Sequence, residues 1–158
     1  GGEYLAAYLG RMNHLFRPVE VSQVTAAMEK VAARPGFPEH FQQQLAAESG
    51  AELLIFGTVS DLRSRERSFR GYGIETKTIT WELDVILKVA DLGTGQIVYG
   101  NVYTGTLSEQ QRPSASEIDH NRFQTLMTSA LKQAAEDLAA VAENGFRAPA
   151  PAAQSQGE

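Results

Sequence analysis

The feature that most limits the fold is an alternation in the middle of the chain. Ile79, Trp81, Leu83, Val85, Leu87 and Val89 take every second position, while Thr78, Thr80, Glu82, Asp84 and Lys88 fill most of the places between them. Successive side chains on a strand point to opposite faces, so this pattern dictates one long strand with a single buried face. Asp91-Leu92-Gly93-Thr94-Gly95 then supplies turn chemistry, and Ile97 to Leu107 returns rich in β-branched and aromatic residues. The expected product is a long antiparallel hairpin.

A sheet buried on one face needs a cover. Phe123, Met127, Ala130, Leu131, Ala134, Leu138 and Val141 keep helical spacing, and Asn144-Gly145 is a fitting stop, so a long amphipathic helix is expected. Gln110 to Ser114 reads as a polar loop before it, and Ser116 with Asp119 resembles a capping box at its start.

The N-terminal half reads as shorter pieces. After a Gly1-Gly2 lead-in, Leu5, Leu9, Met12 and Phe16 mark a first helix. Pro18 disfavours helix at Arg17, and Val19 and Val21 suggest a short strand. Ser22 is a candidate N-cap for a second helix carrying Val24, Met28 and Val31 inward, with Arg34-Pro35-Gly36 as its end. Phe37-Pro38 is expected to open a third helix, with Phe41 and Leu45 toward the core and Ser49-Gly50 closing it. Leu53 to Phe56 is an unbroken apolar run of the kind a strand buried on both faces shows.

The order helix, strand, two helices, strand, long hairpin, long helix implies an α+β fold: a mainly antiparallel sheet with a long hairpin and helices packed on the sheet. Residues 3–146 are expected to form a single domain, since 158 residues with 42% apolar composition suit one core. Residues 147–158 are mostly Ala, Pro, Gln and Ser with little to bury, and are expected to be a disordered tail.

Little in the sequence points to chemistry. A net charge of -5 opposes a nucleic-acid partner, because phosphate binding needs a basic footprint. With no cysteine, thiol nucleophiles, thiolate metal sites and disulfides are excluded. His14, His40 and His120 lack metal-ligand spacing, and Gly93-Thr94-Gly95 lacks the lysine and following helix of a phosphate loop. Glu82 and Asp84 share a strand face and were they buried would suit acid and base roles, but their neighbours Thr78, Thr80 and Lys88 describe a solvated face. Ser60-Asp61 lacks the flanking glycines of a nucleophile elbow. The expectation is a non-enzymatic protein with no catalytic residue, metal or cofactor. No apolar run is long enough to span a bilayer.

The segment from Arg63 to Tyr72 stands apart. Arg63, Arg65, Arg67 and Arg70 interleave with Phe69 and Tyr72 in an otherwise acidic protein, and arginine and aromatic residues are enriched at interface hot spots. These six residues are the candidate partner-binding site. The plain alternative is a solvated, mobile hairpin extension whose charges guard an exposed edge.

Gly50-Ala51 with Leu54-Ile55-Phe56-Gly57-Thr58-Val59, and Leu83 to Val89 followed by Asp91-Leu92-Gly93-Thr94-Gly95-Gln96-Ile97, together resemble motifs of the CsgG/LpoB-like superfamily of bacterial envelope lipoproteins. The resemblance runs from Phe16 to Tyr99, and the long closing helix also fits. It implies a periplasmic domain, tethered to the outer membrane by a lipid anchor upstream of residue 1, that docks onto another envelope protein such as a peptidoglycan synthase or a secretion or surface-organelle component. Family members carry a strand before the first helix, so truncation upstream or a variant sheet is expected. The hairpin through residues 60–69 and the loop after Leu107 look too short and too polar to span lipid, so a pore is not expected. Two other readings stay open: a structural protomer that assembles with copies of itself, and a small-molecule-binding domain.

Overall fold

The computed structural model describes residues 2–12, 14–35, 40–110 and 119–146. Helix α1 spans Gly2–Gly10, α2 Val21–Ala32 and α3 Phe41–Ser49; strands β1 (Leu53–Gly71), β2 (Ile74–Asp91) and β3 (Ile97–Gln110) follow, and α4 (His120–Glu143) closes the fold. The three strands form one antiparallel sheet in the order β1-β2-β3. This is an α+β fold with helices on the sheet.

Strand β2 is the spine. Leu83, Val85, Leu87 and Val89 are buried on its helix-facing side, and Ile79 and Trp81 join them in one core cluster with Tyr103, Leu126, Ala130, Leu131, Ala134 and Leu138. Trp81 is only 9% exposed and is core, as its register on the strand implies. Leu5 and Leu9 of α1 enter the same cluster, with Met12 and Phe16 packed against it from beyond the helix end.

Helix α4 is fastened to β3 at points from its first turn to Asp137. Arg122 Nε donates to Glu109 at 2.7 Å, Gln133 Nε2 to the Thr104 carbonyl at 3.1 Å, and Tyr103 donates to Asp137 at 2.6 Å. Between these ties the backbones come close because Gly105 has no side chain: a Cβ there would overlap the Leu126 carbonyl oxygen and lie 2.8 Å from its carbonyl carbon. The turn between β2 and β3 is organised by Asp91, whose Oδ1 accepts from Gly93 N at 2.7 Å and Thr94 N at 3.1 Å, while Gly95 takes a φ of 75°.

Several local expectations need correction. Val19 and Val21 form no strand: residues 16–20 are irregular and Val21 is the first residue of α2, because an isolated apolar pair has no neighbouring strand to bond. Ser22 does not cap α2, whose N-cap is Glu20 without a side-chain bond. Met28 is exposed; Ala27 and Val31 are the buried positions. At α4 the N-cap is Asp119 itself, accepting from Arg122 N at 2.8 Å. The apolar run Leu53 to Phe56 is not buried on both faces, since β1 is an edge strand and Phe56 is exposed. Nor is the hairpin short: β1 continues through the polar stretch to Gly71, making 19 residues. Phe37-Pro38, the loop after Gln110, Ser116 and the 147–158 tail lie outside the described residues.

Candidate functional site

The six arginine and aromatic residues singled out in the sequence all fall on one β-hairpin. Strands β1 and β2 pair without interruption from Asp61 opposite Asp84 to Gly71 opposite Ile74, and Tyr72-Gly73 closes the turn. Both turn residues have positive φ, 52° at Tyr72 and 77° at Gly73, the requirement of the two-residue turn that matches strand twist. Strand β3 pairs with β2 only as far as Thr78 opposite Gln110. The hairpin therefore projects roughly 14 Å past the described end of β3, at about 3.4 Å per residue.

Cross-strand partners share a face, so the register sorts the residues. Arg63 opposite Glu82, Arg65 opposite Thr80, Arg67 opposite Thr78 and Phe69 opposite Thr76 lie on the face turned away from α4. Arg70, opposite Glu75, lies on the other face, and Tyr72 stands at the tip fully exposed. The structure thus brings Arg63, Arg65, Arg67 and Phe69 together and sets Arg70 and Tyr72 apart from them. Phe69 and Ile74 are each 66% exposed, which makes the tip apolar as well as basic.

Compensation of the arginines falls off along the open face from Arg63 to Arg67. Arg63 is held by Glu82 at 2.6 Å, Asp61 at 3.2 Å and Asp84, and Thr104 Oγ1 also donates to Asp84 at 2.6 Å. These hydrogen bonds hold the Arg63 pKa above its usual range, and Arg63 followed by Thr104 holds the Asp84 carboxyl below its own. Glu82 and Asp84 are thus counter-charges to Arg63, and a carboxyl held low is a poor proton shuttle near neutral pH. Arg65 has one long contact, 3.9 Å to Glu82. Arg67 makes no ion pair or side-chain hydrogen bond among the described residues. Arg70 meets Glu75 at 3.3 Å with its side chain 82% exposed. A shallow depression on the open face is lined by Arg65, Arg67, Phe69, Thr76, Thr78 and Thr80.

A second polar cluster escaped the sequence reading. Asp137 of α4 accepts from Tyr103, from Tyr99 and, at 3.4 Å, from Asn101 Nδ2; the two phenols are 2.9 Å apart. The alternation Tyr99, Asn101, Tyr103 was the available signal, because it puts three donors on one face of β3, but nothing local points to an acceptor 34 residues on. Burial, then the bond to Asp137, pushes the Tyr103 phenol well above its usual range, so it stays a neutral donor; bonds from Tyr103 and Tyr99 hold Asp137 below its usual range. Phe146 packs edge-on against Tyr99 and Phe16, both at 6.5 Å. The cluster pins helix to sheet.

His14 and His40 are exposed, and His120 meets Gln124 at 2.9 Å. Among the described residues no group of three or more His, Cys, Asp or Glu side chains is placed to hold a metal ion, and no helix is long and apolar enough to cross a membrane.

No family model matches the chain, and no curated protein matches its sequence. Among solved structures, a minor lipoprotein from Acinetobacter baumannii aligns over 74% of this chain and 92% of its own, with 14% identity and a TM-score of 0.36. A likeness that loose transfers no function.

Proposed function

We propose that this chain is a non-enzymatic adaptor domain of the bacterial envelope that binds a partner protein through the β1–β2 hairpin. The observation that carries the reading is the projecting hairpin itself, with Phe69, Tyr72 and Ile74 exposed beside Arg65, Arg67 and Arg70. Large apolar side chains at the end of a paired, tight-turned hairpin cost solvation in the free protein, and arginine with aromatic residues is the composition of interface hot spots. Paired strands also present that surface with less ordering cost than a loop would. The sequence motifs resembling envelope lipoproteins support a periplasmic setting with an outer-membrane tether upstream of the chain. Binding would act by shifting the partner between conformations it already samples.

The test is capture of envelope partners by the chain and by its Arg65→Glu/Arg67→Glu/Arg70→Glu form. A partner held by the first and lost from the second supports the reading; equal capture by both removes the hairpin from it.

A second reading rests on the sheet having both edges, β1 and β3, unpaired among the described residues. A structural protomer would pair one of them with a copy of itself. Light scattering across a concentration series decides, since a stable ring contradicts a monomeric adaptor.

A further inference from the structure

Resting on the adaptor reading, we infer that the partner element is an extended, acidic polypeptide segment that adds as a strand to the outer edge of β1, carrying carboxylates at alternate positions opposite Arg65 and Arg67. Three observations converge on that edge. First, β1 is a 19-residue edge strand, so along its outer side the backbone amides and carbonyls have no ladder partner among the described residues. An added strand satisfies them, the mode in which main-chain bonds give affinity and alternate side chains give specificity.

Second, the guanidinium groups on that edge differ in what they lack. Arg63 already has three carboxylates, whereas Arg65 has only the 3.9 Å contact to Glu82, a carboxylate that Arg63 holds at 2.6 Å, and Arg67 has none. The unmet positive charge on this face is therefore carried by two residues two positions apart, about 7 Å from each other by strand geometry. Carboxylates at positions i and i+2 of an extended chain have the same spacing, and in a paired strand their Cβ atoms would stand about 5 Å from those of the arginines. Thr78 adds a hydroxyl beside them, and Phe69 lines the same depression.

Third, a second copy of this chain is a poor occupant of the same stretch. Two β1 edges paired about a two-fold axis normal to the sheet keep their open faces on one side, so pairing centred on this segment would set Arg63, Arg65 and Arg67 of each copy against one another. Like charges directly opposite are destabilising.

The experiment is a titration of the full chain with three synthetic peptides: one alternating glutamate with threonine, its glutamine counterpart, and the glutamate peptide N-methylated at alternate residues along one side. Affinity is read by fluorescence anisotropy, and the contact by NMR amide shifts. The expected result is binding of the glutamate peptide with shifts along β1 from Leu62 to Ser68, weakening with added salt, and a loss of roughly ten-fold or more with glutamine, because charge-assisted bonds are replaced by neutral ones. N-methylation should also weaken it, and Arg65→Ser/Arg67→Ser should lose affinity by a similar factor while keeping the sheet's amide dispersion. No binding, equal affinity for the glutamate and glutamine peptides, full binding by the double variant, or shifts away from β1 would each overturn the inference, as would a dimer formed through β1 that excludes the peptide. A negative result here combined with hairpin-dependent partner capture would leave the adaptor reading standing and remove only the acidic strand.

Discussion

Gly105 of β3 sits directly beneath the backbone of Leu126 in α4. The Cβ that any other residue would bring overlaps the Leu126 carbonyl oxygen, and neither group is a side-chain end that can swing aside. The approach of helix to sheet is therefore set by the absence of one atom, at a place where Leu126 and its neighbour across the turn, Ala130, are both fully buried.

Gly105→Ala should accordingly force α4 outward. We expect a loss of about 3 kcal/mol, the upper part of the range for overpacking a well-filled core. Urea unfolding followed by the fluorescence of Trp81, the chain's single tryptophan, measures it directly.

The Tyr99, Tyr103 and Asp137 cluster makes stability depend on pH in acid. Hydrogen bonds from Tyr103 and Tyr99 hold the folded-state pKa of Asp137 below its unfolded value, so the contribution is fully present above an unfolded pKa of about 3.9 and is lost as the pH falls through the lower folded value. Tyr103→Phe should raise the Asp137 pKa, flatten this acid-side loss and cost about 2 kcal/mol at neutral pH through the missing bond to a charged acceptor. Carboxyl NMR titration together with urea unfolding at several pH values checks both parts.

Arg63→Gln should release Asp84. With the largest cause of its lowered pKa removed, the Asp84 carboxyl should titrate closer to the ordinary aspartate range, held only by Thr104. NMR titration of the side-chain carboxyl gives the answer, and unchanged titration would mean that Thr104 is sufficient.

Tyr72→Asn separates stability from binding. Tyrosine at a φ of 52° is costly where asparagine is tolerated, and the change creates the Asn-Gly pair favoured in such turns. We expect a gain of up to about 1 kcal/mol in thermal unfolding, with weaker capture of partner in the pull-down. A substitution that stabilises the protein and strengthens capture would contradict a contact role for this residue.

What the sequence made legible follows from how strongly one face is buried. The β2 alternation and the α4 stripe read correctly because Leu83, Val89, Leu126 and Leu138 all face a single core, which forces a period on them. The outer part of β1 has no such face: from Phe56 to Arg70 all but Arg63 are exposed, so hydropathy carries no period that marks the strand. A charge period was present, in Arg63, Arg65 and Arg67 at every second position opposite Glu82, Thr80 and Thr78. Val19 and Val21 misled for the converse reason, an apolar pair with no sheet to join. The Asp137 cluster was hidden because its members meet only through the tertiary contact of α4 with β3.

The hairpin's two halves answer to different demands although a single strand runs through both. From Ile79 to Val89 alternate residues of β2 are locked into the core, while from Ile74 to Lys77 none is buried, and the turn at Tyr72-Gly73 depends only on local backbone conformation. Residues at the far end can therefore be exchanged wholesale, keeping the glycine and the strand period, with little penalty to folding. Such a scaffold accepts a grafted tip while its base, fixed by the core positions of β2, stays the same.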